Sequence, residues 1–337
     1  MRIEARPYAA AFVDYAATKP DLVCLTGDLT ASCEVDDFKA AYPERFYNIG
    51  MAEQNMIGIA GGMARGGLLP VVHTFGVFAT RRPFDQLAMA IGFPRLRVRL
   101  MGFLPGLTTP GGVTHQAIDD VALMRSVPGM SVFDLGDASE IKGIHPLLDE
   151  IEGPAYCRVM RGEVPVLFHE PMVLGQARVL SRGSDLCLIS SGAASAEAIA
   201  AAAAMSDAGL SVTHLHVSTL KPFDDPRIAE AMEACGGVLT VENHLTDGGL
   251  GTVVAETLAA RRIGMPFAKL GLRDTYAMGG SQKFLFERFG LSTAHLIDAV
   301  EHLLGIDLAI EPATGPGSEL RAQRERALSR LSRDPTL

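Results

Sequence analysis

The sequence predicts an α/β protein made of two successive doubly wound domains, and three observations predict it. Short apolar runs alternate with helical patterns from end to end, and strands separated by helices imply parallel βαβ units. The 337 residues divide into two domains at roughly 100 to 200 residues each. Hydrophobic residues make up 48% and charged residues 20%, which supplies a large core and argues against wholesale disorder.

Taken in order, the apolar runs at 22–25, 68–72, 96–101, 130–133 and 155–159 read as buried strands. Helical patterns at 7–18, 54–65, 83–91, 118–126 and 138–149 lie between them. From 162 to 183 the periodicity fails and Pro165, Pro171 and Gly175 punctuate a polar stretch, which reads as a linker. A second α/β unit follows, with strands expected at 185–189, 211–215, 237–242 and 267–272, and helices at 193–208, 225–235, 251–261 and 293–304. Beyond Leu304 a Pro- and Gly-rich run at 311–318 and an arginine-rich end read as a loose tail. The expected division is a first domain over 1–162, a linker over 163–183, a second domain over 184–305 and a tail over 306–337. The halves share a class without an obvious repeat.

The formal charge of −9 argues against nucleic acid or an anionic membrane surface as partner, so any anion must be met by local arginines. The longest apolar stretches, such as 198–205, fall short of the about 18 residues that span a bilayer, and no cationic, apolar leader opens the chain. A cytoplasmic location is the expectation. Five widely spaced cysteines, an odd number with no C-x-x-C pair, indicate neither a disulfide framework nor a zinc site.

Phosphate-cradling motifs of the common nucleotide enzymes are missing: there is no G-x-x-x-x-G-K-[ST] and no G-x-G-x-x-G between a strand and a helix. Gly248, Gly249 and Gly251 read as a tight turn into a helix. The most informative segment is Asn48-Ile49-Gly50-Met51-Ala52-Glu53-Gln54-Asn55-Met56-Ile57-Gly58-Ile59-Ala60-Gly61-Gly62. An acidic residue at a helix start is ordinarily a dipole-favoured surface group. Here an apolar, glycine-rich helix that reads as buried follows Glu53, and a carboxylate at the head of a buried helix needs a partner.

That segment resembles the one in thiamine-diphosphate enzymes of the transketolase family that bears the glutamate touching the cofactor's aminopyrimidine ring. Gly27-Asp28-Leu29, Thr74-Phe75-Gly76-Val77-Phe78, Thr114-His115-Gln116 with Asp119, and the stretch 158–165 stand in that family's order and approximate spacing. Ser190-Ser191-Gly192, Thr219-Leu220-Lys221-Pro222 and Val241-Glu242-Asn243-His244 resemble the family's C-terminal domain. The resemblance spans about residues 5 to 305 and implies a pyrimidine-binding domain followed by a transketolase C-terminal domain. The family's diphosphate-binding domain, with its G-D-G motif and the Asn that helps to hold Mg2+, has no counterpart here. Half of the cofactor site is therefore expected from a second polypeptide, a diphosphate-binding N-terminal-type subunit, in an α2β2 assembly, with Mg2+ held mainly by that partner. The neighbouring reading frame is the place to look for it.

The resemblance assigns roles residue by residue. Glu53 would hydrogen-bond N1′ of the aminopyrimidine and favour the imino tautomer that takes the proton from thiazolium C2; burial beside Phe75 and Phe78 is expected to raise its pKa. Phe75 and Phe78 would stack on the pyrimidine, where ordinary core packing is the plain alternative. His115, in a loop after Gly111-Gly112-Val113-Thr114, would touch substrate or relay a proton. Arg161 matches the arginine that closes on a substrate phosphate, and Arg6 and Ser32 match the family's other phosphate contacts, exposed surface arginine being the plain alternative.

Two departures bear on substrate choice. The family's hydroxyl-reading acidic residue, four positions before the loop histidine, falls on Gly111, and an upstream histidine falls on Phe103. The expected substrate is accordingly an unusual anionic sugar, branched, deoxy or sulfonated, such as apulose 4-phosphate or sulfofructose, with room left at Gly111. The expected activity is transfer of a two-carbon ketol unit from a ketose to an aldose. The β subunit of a 2-oxoacid dehydrogenase E1 component shares both domains and is the first alternative; the phosphate-type contacts favour a transketolase. A non-catalytic regulatory subunit is the alternative of another class, against which the retained Glu53, His115 and Arg161 count.

Overall fold

The computed structural model describes residues 2–310. From residue 311 onward, the tail expected at 306–337 lies outside the described residues. The strands run in chain order as β1 (Arg2–Ala5), β2 (Leu22–Thr26), β3 (Phe46–Asn48), β4 (Leu69–Phe75), β5 (Arg99–Phe103), β6 (Ser131–Asp134), β7 (Ala155–Val159), β8 (Glu163–Val166), β9 (Arg178–Ser181), β10 (Leu186–Ser190), β11 (Val212–His216), β12 (Thr219–Lys221), β13 (Val238–Leu245) and β14 (Phe267–Leu272).

The first half folds as a seven-stranded sheet in the order β12-β6-β7-β5-β4-β2-β3, parallel except for the edge strand β12. The inner strands β2, β4, β5 and β7 are buried along their whole length, which is why each reads as a nearly continuous apolar run. Helices Pro7–Ala17 and Ala138–Leu148 pack Tyr8, Phe12, Ile141 and Ile144 into one apolar layer, while Met56, Ile57, Leu87 and Ile91 belong to a second. The second half is a five-stranded sheet in the order β14-β13-β10-β11-β9, with only β9 antiparallel.

The two halves are stitched together. Strand β12 comes from the second half of the chain yet closes the edge of the first sheet against β6. The stretch read as a linker also carries strands: β8 pairs antiparallel with β1, and β9 joins the second sheet. Pro165 misled the reading there, because a two-stranded edge ribbon tolerates a proline that a central strand does not.

Other differences have local causes. The strand read at 68–72 continues to Phe75 because His73 and Thr74, although polar, are buried, and His73 Nε2 meets the Tyr8 hydroxyl at 2.6 Å. The helix read at 83–91 is a single turn, Phe84–Gln86, running into a π-helical stretch, Leu87–Gly92. That stretch lies close to helix Glu53–Arg65: a Cβ on Gly61 would stand 2.9 Å from the Ala90 carbonyl oxygen, so only glycine allows this approach.

Candidate active site

The chain reverses its direction of winding after β2, since β3 lies on one side of it and β4 on the other. A crevice outside the carboxyl ends of the strands at such a point is where doubly wound sheets place their ligands. Asn48, at the end of β3, accepts from the Asp28 N–H at 3.1 Å and the Gly50 N–H at 3.0 Å, tying the end of β2 to the loop that leads into Glu53.

Glu53 opens helix Glu53–Arg65 and is 4% exposed. Its Oε1 accepts from Arg82 Nη1 at 2.8 Å. The guanidinium of Arg82 lies 3.9 Å from the centre of the Phe78 ring, and Gln54 Nε2 donates to the Arg82 carbonyl at 3.1 Å. Carboxylate and ring are thus held at a fixed relation by one cation.

Phe75 ends β4 and Phe78 follows in helix Gly76–Thr80, with ring centres 5.8 Å apart. The His115 ring stands edge-on to Phe78 at 5.4 Å and 6.1 Å from Phe75. Its Nδ1 lies 2.8 Å from Thr114 Oγ1, which leaves Nε2 for a ligand. The loop that bears it is anchored from three sides. Asn243 Nδ2 donates to the Pro105 carbonyl at 3.0 Å, Gln116 Nε2 donates to the Met278 carbonyl at 3.1 Å, and Arg81 grips both oxygens of Asp119 at 2.9 and 3.0 Å.

Gly111 sits directly against this histidine. A Cβ there would lie 2.9 Å from His115 Cβ and 3.0 Å from Cγ, so the room expected at Gly111 is taken by the imidazole. Phe103 is wholly buried, 5.1 Å from the Tyr8 ring, and belongs to the core.

Arg6, Ser32 and Arg161 form a second cluster. Arg161 Nη1 donates to the Ser32 carbonyl at 3.2 Å, and the Arg6 N–H donates to the Gly162 carbonyl at 2.7 Å. Two carboxylates that the sequence reading passed over share this cluster. The Arg6 guanidinium pairs with Asp36, and Glu34 Oε1 accepts from the Gly162 N–H at 2.7 Å. Burial pushes the Glu34 carboxyl up from its ordinary value, against the Gly162 N–H and the two nearby guanidiniums, which favour its charged form. Arg161 also lines a cavity of about 90 Å³ together with Thr108, Leu104 and Gln282, on the side of the loop that leads to His115.

Between the two halves lies a buried ion network. Arg158 is wholly buried; its Nε donates to Asp120 at 2.9 Å, Nη1 to Asp134 at 3.0 Å, and Nη2 to the carbonyls of Ala117 and Asn243, both at 2.9 Å. Burial alone would lower its pKa; Asp120 and Asp134 outweigh that and hold it above its ordinary value. Arg158 therefore joins β6, β7, β13 and the segment after His115 at one point.

Of the predicted residues, the structure brings Glu53, Phe75, Phe78, His115 and Gly111 into one contiguous group, and Arg6, Ser32 and Arg161 into another. The reading missed Arg81, Arg82, Glu34, Asp36 and Arg158. Adjacent arginines just after Phe78 were the one available signal for the first two. Among the described residues, no group of three His, Cys, Asp or Glu side chains is placed to hold a metal, and no helix is long and apolar enough to cross a membrane.

Comparison with known proteins bears on this arrangement. The family model described as "Transketolase, pyrimidine binding domain" matches residues 6–166, and "Transketolase, C-terminal domain" matches 175–296. The chain is similar to the 6-deoxy-6-sulfo-D-fructose transketolase subunit of Clostridium sp. (strain MSTE9), 33% identical over 88% of this chain and 92% of that one. It is 30% identical to an apulose-4-phosphate transketolase subunit of Phocaeicola vulgatus, over 85% of this chain and 92% of the other. Among solved structures, one described as a split gene transketolase in an inactive beta4 tetramer superposes with a TM-score of 0.82 and 35% identity, covering 89% of this chain and 97% of that chain.

Proposed function

Because the chain belongs to the transketolase family, with its pyrimidine-binding and C-terminal domains, we propose that it is one subunit of a two-chain transketolase that moves a two-carbon ketol unit from an anionic ketose to an aldose. The observation that carries the reading is the group formed by buried Glu53, which follows β3, the Phe75 and Phe78 rings at the end of β4, and half-buried His115.

These residues fit the aminopyrimidine of thiamine diphosphate. A buried carboxylate at a helix start offers an acceptor to a ring nitrogen that carries a proton, and the two phenyl rings offer an apolar wall. Thr74 Oγ1, buried without a partner beside Phe75, is a further polar atom in want of one. When bound, the cofactor supplies the electron sink that lets the ketose C2–C3 bond break and a new carbon–carbon bond form.

The chain's own residues would do the rest. Glu53 holds the pyrimidine in the tautomer that the reaction needs, and Arg82 fixes Glu53 relative to Phe78. His115, oriented through Nδ1 by Thr114, exchanges a proton with a substrate oxygen at Nε2. Arg161 and Arg6 face the anionic end of the sugar. An unusual donor is in keeping with the relatives that act on sulfofructose and apulose phosphate, and with the lack of a carboxylate at Gly111.

On this reading, the diphosphate and Mg2+ bind to a partner subunit in an α2β2 assembly. Exposed Met51, Met89 and Phe93 flank the start of the Glu53 helix and the π-helical stretch packed beside it, and they give such a partner an apolar face. The test is co-expression with a diphosphate-binding subunit and assay of the purified pair on a panel of ketose donors. Turnover of at least one anionic ketose supports the reading, and an assembled pair inert toward all of them rejects it.

A further inference from the structure

Two arginines in the second cluster are not free to act as a bare anion clamp. Arg6 is paired with Asp36, and Arg161 is turned onto the Ser32 carbonyl at 3.2 Å. Glu34 is 3% exposed, and its carboxylate accepts from the Gly162 N–H at 2.7 Å. Glu34 Oε2 is buried with no hydrogen-bond partner.

The backbone is bent to achieve this. Glu34 has φ 55° and Arg6 φ 50°, both in the left-handed region that side chains other than glycine and asparagine rarely take. Both meet Gly162, Arg6 through its backbone N–H and Glu34 through its carboxylate. Arg6 and Arg161 are matched by Glu34 and Asp36, so these four side chains carry no net charge when both carboxyl groups are ionised.

Resting on the transketolase reading above, we infer that Glu34 and Asp36 set the charge of the end group accepted at this cluster: it takes a monoanionic terminus, a sulfonate, in preference to a dianionic phosphate. A sulfonate offers three acceptor oxygens and one negative charge. A phosphate monoester near pH 7 offers three acceptor oxygens and nearly two charges. Both satisfy the same donors, but the second charge meets two carboxylates, one of them buried, with no spare cation in the cluster, and like charges at close range repel. Removing one carboxylate leaves a cation in excess and should reverse the preference.

Two measurements test this. In the first, the chain assembled with its partner is assayed with 6-deoxy-6-sulfofructose and fructose 6-phosphate, and kcat/KM values are compared for wild type, Asp36→Asn and Glu34→Gln. The expected result is a preference for the sulfonate of about tenfold or more in the wild type, moved toward phosphate by a similar factor in Asp36→Asn. A wild-type preference for phosphate, or a ratio unchanged in both variants, overturns the inference. In the second, the full chain alone is titrated with 2-hydroxyethanesulfonate and 2-hydroxyethyl phosphate, followed by the shift in thermal midpoint. Tighter sulfonate binding in the wild type, with phosphate gaining in Asp36→Asn, supports the assignment even if the pair turns over no donor, in which case it is the transketolase reading that fails. Equal binding, or binding of neither, counts against it.

Discussion

Arg82 donates to Glu53 Oε1 at 2.8 Å while its guanidinium lies 3.9 Å over the Phe78 ring, so the carboxylate and the aromatic wall of the site are set by one side chain. Arg81, its neighbour, grips Asp119 and so holds the end of the loop that bears His115. Two consecutive arginines therefore register both sides of the site.

Glu53→Gln should fold as the wild type does and lose about 10²-fold or more in activity of the assembled pair, because an amide cannot exchange the proton that a carboxyl group can. Cofactor affinity should change little, since the amide still hydrogen-bonds. The check is the rate of C2-proton exchange of bound thiamine diphosphate by NMR. An unchanged rate would remove Glu53 from its assigned role.

Gly111→Asp should not restore a hydroxyl-reading carboxylate. The new Cβ would meet His115 Cβ at 2.9 Å and push the imidazole from its place beside Phe78. We expect kcat to fall about tenfold or more with every donor. A variant that kept full activity and gained selectivity among donor hydroxyl configurations would show that the site has slack there after all.

Arg158→Met should leave Asp120 and Asp134 facing each other without a cation, at a cost of about 3–5 kcal/mol, the range for breaking a buried ion pair. Urea unfolding measures it. Because the same guanidinium also binds the Ala117 and Asn243 carbonyls, the loop around His115 should become more susceptible to protease as well.

Stability should decline as pH falls below about 6.5. Burial pushes His73, His145 and His214 each down to about 3, so in that range the unfolded chain binds protons that the folded one does not. Each such histidine contributes about 1.4 kcal/mol per pH unit once its unfolded form is titrated. Glu140 adds to the loss further down: burial would raise its pKa, but His216, the Gly136 N–H and Ser218 outweigh burial and hold it at about 2, so its contribution disappears as pH falls from 4.5. Glu34, Asp134 and Glu242, raised by burial, act in the opposite sense in the carboxylate range. Urea midpoints at pH 7 and pH 5 that coincide would contradict the assignment of neutral buried histidines.

The alternation of apolar runs and helical patterns made the parallel core of both sheets legible, because strands buried on both faces announce themselves as continuous apolar stretches. Edge pieces were not legible. Strand β3 has only three residues and is largely exposed, β8 contains a proline, and β12 joins a sheet built mostly by the other half of the chain, a long-range pairing that local periodicity cannot encode. In the site, Glu53, Phe75, Phe78 and His115 were legible through a matched motif. Glu34, Asp36 and Arg82 were not, since a charged residue looks the same in sequence whether it faces solvent or a partner brought to it by the fold. The clash at Gly111 was also invisible, because space is a property of the fold.

The central claim is that this chain holds one half of an active site. Its most direct test is to titrate the purified chain, in the presence of thiamine diphosphate and Mg2+, with a diphosphate-binding partner subunit while following ketol transfer from an anionic ketose. The predicted result is no turnover from either chain alone and activity that rises to a plateau at one partner per chain. Full turnover from this chain without any partner would contradict it.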